Sequence, residues 1–336
     1  MNWPPASSCI LWTLTLLLWL PATAAAQPIV RLIATGGTIA NHSAGRLSAT
    51  ALAASVPGLA SIARVETETF ASVSSLELSL AEWAALATRV SQVLAGGDVS
   101  GVVITGGSDT LEELAWYLDL TVTSDRPVVV TGAMRRPSDP KPDGPGNLAD
   151  ALRVAVSLDA RGRGTLVVMG GLILRARDAT KVATSGVEAF GTFRGGPEGR
   201  VRQGRVRFRR AAAPRPSRRF APGPLPRVDL LLAYQQAPGD LIDASVQRGA
   251  RGLVIASAGA GAMTAAQIDA AEAASRAGIP VVVASRVPRA RLLPTDVPTG
   301  MIAAGALSPV KARILLMLAL ARGDTRSELA ALFAAH

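Results

Sequence analysis

The chain has 336 residues, of which 49% are hydrophobic and 18% charged. That length is too great for one ordinary domain and suits two, and the apolar share excludes a chain too polar to build a core. A formal net charge of +10, carried mostly by Arg, fits an acidic partner or surface; the accompanying Ala, Gly, Arg and Pro richness fits a compositional bias equally well, and that plainer reading is preferred.

The first segment reads as an export signal. The apolar run CILWTLTLLLWL is followed by PATAAAQP, an h-region and an Ala-x-Ala cleavage site, with Ala26 the last residue removed. The run is too short for a comfortable membrane span. It departs from the usual signal in having no Lys or Arg before the h-region. Residues 1–26 are therefore expected to leave as a signal peptide, giving a periplasmic or secreted protein with no stable membrane anchor. Cys9, the only cysteine, leaves with them, so the mature chain has no disulfide and no thiolate metal site. Only His42 and His336 remain as imidazole ligands, which argues against a transition-metal site.

From residue 28 onward short Val- and Ile-rich runs alternate with amphipathic stretches. PIVRLIA, GVVIT, PVVVT, TLVVM, GLVIAS and IPVVVAS lack period-two alternation, as expected of strands buried on both faces. Between them, Ser79-x-x-Glu82 opens a predicted helix that fades at Gly96-Gly97, and Asp109-x-x-Glu112 opens the next. Thr264-x-x-Gln267 opens another, Ser308-Pro309 starts a long apolar helix, and Thr325-x-x-Glu328 opens the last. The segment from Arg200 to Arg219 holds nine Arg, and no acid occurs from Gly199 to Val228. Its first part alternates around Gln203-Gly204 like a hairpin, and its second is Pro-rich like a linker. An anion-binding or envelope-surface patch is one reading of it; a solvated hairpin plus linker is preferred. The expected architecture is α/β: a larger N-terminal, doubly wound, mostly parallel sheet domain (27–213), a Pro/Arg-rich linker (214–227) and a smaller C-terminal α/β domain (228–336).

Two apolar runs enter glycine turns carrying hydroxyls: Thr35-Gly-Gly-Thr38 and Thr105-Gly-Gly-Ser108. In a parallel sheet such turns share one edge, so Thr35 and Ser108 can meet in one crevice, where backbone N–H groups can approach a ligand. Neither turn has the Gly-Lys-Ser/Thr ending of a phosphate loop, and AGAGAM (258–263) matches a dinucleotide turn only loosely. Neither His sits in a nucleophile-activating motif, so the nucleophile is expected to be a Thr or Ser activated by another group, such as Lys.

IATGGTIA and TGGSDTLEE, in this order, closely resemble the two signature segments of bacterial L-asparaginases. TGAMR, DGPGNLADA, RARDATK, SAGAGAM, SRVP and KARILLMLAL extend the resemblance over nearly the whole mature chain. With the leader segment the chain is similar to the exported, type II branch. The resemblance implies hydrolysis of the L-asparagine side-chain amide to L-aspartate and ammonia, no metal or organic cofactor, and a homotetramer with sites at subunit contacts. By the same resemblance Thr35 is the nucleophile that forms an acyl-enzyme. Ser108 stands at a second hydroxyl position, and Asp109 and Lys181 complete an inner triad. Ser75 holds the substrate α-carboxylate, Ser108 and Asp109 also bind substrate, and the Ala133 carbonyl accepts from the leaving amide. Singly these residues read as a helix cap, a surface lysine and a strand end; together, within the motifs, they read as a site.

The departures from the family pattern thin the contacts to an α-ammonium. The loop NHSAGRLS has no Tyr, and His42 or Ser43 falls nearest its place. Ser108 replaces a Thr and Gly106 a common His. Leu76 stands where an amine acceptor is expected, Leu293 falls near an acid donated by the neighbouring subunit, with Asp296 a substitute, and Ala262 replaces a polar residue. A related amidase acting on L-glutamine or another amide, and an exported inactive or binding homologue, are the alternatives. Aromatics at 4% argue against a nucleic-acid partner.

Overall fold

The computed structural model describes Met1, residues 27–212 and residues 220–336; the expected signal peptide and the first part of the expected linker lie outside the described residues. In chain order the first domain contains β1 (Ile29–Gly36), the short pair β2 (Asn41–His42) and β3 (Gly45–Arg46), α1 (Ala49–Ala54), β4 (Arg64–Val73), α2 (Leu80–Ala95), β5 (Gly101–Thr105), α3 (Leu111–Thr121), β6 (Val128–Thr131), α4 (Gly144–Val156), β7 (Thr165–Met169), β8 (Leu172–Arg175), the short pair β9 (Thr180–Lys181) and β10 (Phe190–Gly191), and the hairpin β11 (Gly199–Arg202) and β12 (Arg205–Phe208). The second contains β13 (Val228–Leu232), α5 (Asp240–Gln247), β14 (Gly252–Ser257), α6 (Ala265–Arg276), β15 (Val281–Ser285), β16 (Ile302–Ala303), α7 (Pro309–Arg322) and α8 (Arg326–Ala334).

Eight strands form the larger sheet in the order β12-β11-β8-β7-β6-β5-β1-β4. The five from β7 to β4 are parallel, and β8, β11 and β12 add antiparallel pairing at one side. The smaller sheet, β13-β14-β15-β16, is wholly parallel. Both faces of the large sheet are covered. Leu32, Val103 and Val129 pack with Leu148 and Leu152 of α4 on one face. Ile33, Val102 and Ile104 pack with Leu86 of α2 and Tyr117 of α3 on the other. This double burial is why the strand sequences are continuous apolar runs. Each fully buried Val, Leu or Ile contributes about 1.5–3 kcal/mol.

One apolar cluster runs through α3 and α7 into the smaller sheet, joining Trp116 to Leu315, Val254 and Phe333. Trp116 Nε1 donates to the Lys311 carbonyl across it, 3.1 Å away. Phe220 is buried and its N–H donates to Leu120 O. Among the described residues no helix is long and apolar enough to cross a membrane.

The expected capping boxes at Ser79–Glu82 and Thr325–Glu328 are present, and Thr264 accepts from Gln267 N as expected. The third differs. Thr110, not Asp109, is the N-cap of α3, and no side chain caps it. The Asp109 carboxylate is taken by the Lys181 ammonium, a stronger partner than a backbone N–H, and Glu112 turns toward Thr180 and Lys181 of another strand. Strand β4 carries no apolar run because it is an edge. Its Glu66 and Glu68 pair with Arg31, Arg64 and Arg89.

The turns after β1 and β5 touch through glycine. A Cβ on Gly37 would lie 2.3 Å from Gly107 Cα, and Gly37 has φ +79°. A Cβ on Gly107 would lie 2.7 Å from Ser75 Cβ. Gly37→Ala is therefore expected to cost at least about 2 kcal/mol from backbone strain and collision. Gly146→Ala is the control, because a Cβ there meets nothing within 4 Å; its stability should match or exceed the parent, Ala being the better helix former by about 1 kcal/mol. Thermal melts of both variants measure the contrast, and equal melting temperatures would contradict it.

Candidate active site

Thr35 sits near the end of β1, only 3% exposed. Its Oγ1 donates to the Thr105 carbonyl of neighbouring β5 at 2.9 Å. A Cβ on Gly106 would come within 3.3 Å of that hydroxyl, so glycine leaves the approach open. Past β5 the chain turns and presents Ser108 and Asp109 in succession. Lys181, from the two-residue strand β9, brings its amine to both: Nζ donates to Ser108 Oγ at 2.9 Å and to Asp109 Oδ1 at 2.6 Å. The lysine side chain is 17% exposed, whereas that of Asp109 is 69% exposed. The amine is thus sheltered, and the carboxylate that orients it is open to an incoming cation.

Ser75 adjoins the same turn. Its carbonyl accepts from Thr110 Oγ1 at 3.2 Å, and its side chain lies against Gly107. Thr35, Ser74, Ser75, Gly106, Gly107 and Thr110 line a cavity of about 10 Å³, room for a single water. Ala133 is fully buried in the turn after β6. That turn is fixed on both sides: the Asp143 carboxylate accepts from Met134 N and Arg135 N, and Asn147 Nδ2 donates to Gly132 O.

Ser108, Asp109 and Lys181 thus form one hydrogen-bonded group, with Ser75 packed beside its turn. Thr35 is on the adjacent strand; its hydroxyl is turned onto Thr105 O and, among the described residues, joins neither Lys181 nor Asp109. His42 Nδ1 accepts from Ala44 N within its own short hairpin. The Asp296 carboxylate accepts from Leu293 N, a local turn contact. Leu76 and Leu293 are 80% and 51% exposed. Among the described residues no group of three or more His, Cys, Asp and Glu has the arrangement to hold a metal ion.

A buried support for Lys181 escaped the sequence reading. Glu112 Oε1 accepts from Thr180 Oγ1 at 3.0 Å and from Lys181 N at 3.2 Å. Its other oxygen lies 3.5 Å from Lys311 Nζ, which comes from the first turn of α7 and also donates to Ala179 O. Lys311 is 2% exposed. Burial pushes its pKa down, opposed by the Glu112 and Asp178 carboxylates. One carboxylate from α3 and one ammonium from α7 therefore pin residues 179–181. The signal was Lys311, one of two charges in Lys311-Ala-Arg-Ile-Leu-Leu at the head of a largely apolar helix.

Comparison with known proteins bears on this arrangement. Residues 29–214 match the family model "Asparaginase, N-terminal", and residues 227–333 match "Glutaminase/Asparaginase C-terminal domain". The chain is 36% identical over 317 residues to the "Probable L-asparaginase periplasmic" of Haemophilus influenzae, covering 89% of this chain and 90% of that one. It is 34% identical over 328 residues to "L-asparaginase 2" of Escherichia coli, covering 92% and 94%. The crystal structure of a "Probable Cytoplasmic L-asparaginase" from Campylobacter jejuni superposes with a TM-score of 0.85 at 33% identity, over 92% of this chain and 99% of that one.

Lys311→Met would strand the Glu112 carboxylate in the interior. Breaking one side of a buried pair is expected to cost about 3–5 kcal/mol. The double variant Lys311→Met/Glu112→Gln should regain most of that loss. Urea melts of the single and double variants decide it, and a fully stable single variant would show that the pair is not coupled.

Proposed function

This chain belongs to the asparaginase family, and from that premise we propose that it is an exported amidohydrolase cleaving the side-chain amide of L-asparagine to L-aspartate and ammonia. The observation that carries the reading is the Lys181 amine, sheltered and shared between Ser108 Oγ and Asp109 Oδ1, beside the strand bearing Thr35. A binding protein has no need of a sheltered amine hydrogen-bonded to a hydroxyl; a hydrolase uses it to take and return a proton.

In the proposed reaction Thr35 Oγ1 attacks the amide carbon. An ester bond to the enzyme forms, the carbon–nitrogen bond breaks, and the threonine proton leaves with ammonia. Lys181, oriented by Asp109, then relays a proton through Ser108 from the water that attacks the ester to the departing Thr35 oxygen, so that the ester carbon–oxygen bond breaks, L-aspartate is released and the threonine hydroxyl is restored. Ser75 receives the substrate α-carboxylate, Asp109 the α-ammonium, and the Ala133 carbonyl the N–H of the leaving amide. The chemistry uses the chain's own hydroxyls, amine and carboxylate, with no cofactor.

A homotetramer is proposed with it. Leu230 and Leu232 are exposed at alternate positions of edge strand β13, Tyr234 is exposed just past its end, and Leu241 on α5 is exposed as well. Exposed apolar side chains grouped this way support a subunit contact. The leader-like residues 1–26 support export to the periplasm or beyond.

A second reading, a related amidase with a shifted substrate, is favoured by Leu76. At 80% exposed it stands where the family resemblance calls for an acceptor of the substrate amine. One missing hydrogen bond to a charged group weakens binding by about 1.5–3 kcal/mol.

The test is ammonia release from L-asparagine, D-asparagine, L-glutamine and simple amides by the chain starting at Gln27. L-Asparagine turnover should fall by more than about 1,000-fold in Thr35→Ala. Leu76→Gln should raise kcat/KM for L-asparagine about tenfold, the equivalent of 1.4 kcal/mol. Release only from another amide would establish the second reading, and no release by folded protein would establish an inactive homologue.

A further inference from the structure

The outer face of the β11–β12 hairpin concentrates positive charge with no acid to answer it. Strand β12 is the last of the eight-stranded sheet. Its register sets Arg200 directly opposite Arg207 and Arg202 opposite Arg205, with Val201 facing Val206 between them. Alternation turns the valines toward the protein and leaves all four arginines exposed. Like charges directly opposite on one face of an antiparallel pair destabilise it. The carboxylate nearest in sequence, Glu198, is held by Arg163 at 2.7 Å and Arg175 at 2.6 Å. Among the described residues none of the four guanidinium groups has a hydrogen-bond or ion-pair partner. Charge protects an edge strand from pairing with another chain, but alternating signs would do so without facing like against like.

The face is also hollow. Arg200, Arg202, Gln203, Arg205, Arg207 and Arg209 line an open surface groove of about 580 Å³. Guanidinium groups match phosphate oxygens in paired hydrogen bonds. Successive arginines on one strand lie about 6.6–6.8 Å apart, so the two rows form a cationic channel suited to a chain of phosphates. A hollow fits a narrow polymer better than a planar bilayer, and the hairpin exposes no apolar side chain to insert. Phe208, the one aromatic in the lining, is half-buried with the Arg163 guanidinium 4.0 Å above its ring, so it offers no free platform to a nucleobase.

We propose that the β11–β12 groove binds a linear oligophosphate or polyphosphate chain. The site is separate from the amide chemistry: β1 lies six strand positions from β12, about 29 Å at 4.8 Å per step. It stands whether or not the amidohydrolase reading does.

The experiment uses fluorescently labelled long-chain inorganic polyphosphate, with anisotropy read on the whole protein and on the variant Arg200→Ser/Arg202→Ser/Arg205→Ser/Arg207→Ser. Binding is expected at low salt, weakening steeply between about 50 and 200 mM salt, and at least about tenfold weaker in the variant. Orthophosphate should compete poorly, and ammonia release should be unchanged by the four substitutions. Should the quadruple variant not fold, Arg200→Ser/Arg207→Ser and Arg202→Ser/Arg205→Ser, checked by thermal melts, should each weaken binding about threefold or more. Unchanged binding by folded variants, absence of binding at 50 mM salt, or stronger arginine-dependent binding to single-stranded DNA or to anionic phospholipid vesicles would each overturn the proposal.

Discussion

A single ammonium position organises this structure: Lys181 Nζ, 2.9 Å from Ser108 Oγ and 2.6 Å from Asp109 Oδ1. The lysine lies more than seventy residues from the two side chains it meets and arrives on a different element. Ser108 and Asp109 come from the turn after β5, a strand locked between β1 and β6 in the middle of the large sheet. Lys181 comes from a ladder only two residues long. So short a strand has little stability of its own, and Glu112 and Lys311 provide what it lacks. They tie the backbone of residues 179–181 to α3 and α7, inside the core that the two domains share. The C-terminal domain thereby contributes to the placement of a lysine in the N-terminal domain.

The second constraint is steric. The turns after β1 and β5 approach so closely that only glycine fits at Gly37 and Gly107. This brings the Thr35 strand, the Ser108 turn and Ser75 around one small cavity. The approach to Thr35 is kept clear by Gly106 for the same reason. Rigid elements of the sheet hold the hydroxyls, whereas Asp109 and Leu76 are open to solvent. Under the proposed reading, substitution at Leu76 alters substrate preference while leaving the Ser108–Asp109–Lys181 group in place.

Much of the architecture was legible because its physics is local. Apolar runs such as Val102 to Ile104 announce strands buried on both faces, and Ser79, Thr264 and Thr325 announce helix starts through their own side chains. Strand β4 was missed because an edge strand needs no apolar run, and its alternating Glu and Thr resemble a loop. Asp109 was misread as a cap because spacing cannot show that a lysine seventy-two residues later competes for its carboxylate. The grouping of Ser108, Asp109 and Lys181 came from resemblance to a family rather than from pattern. The Lys311–Glu112 support came from neither, since its partners lie on separate domains and a buried ion pair has no periodic signature.

The orientation of Thr35 toward Thr105 O, on a strand adjacent to the lysine group, makes the identity of the nucleophile the decisive question. The direct measurement is intact-protein and peptide mass spectrometry on a Lys181→Met variant, quenched in acid after brief exposure to L-asparagine, so that an ester formed in the first half of the reaction is retained. An aspartyl ester mapped to Thr35 is the expected result. The same ester mapped to Ser108 would contradict the assignment, transferring the nucleophile's role to the hydroxyl that Lys181 touches.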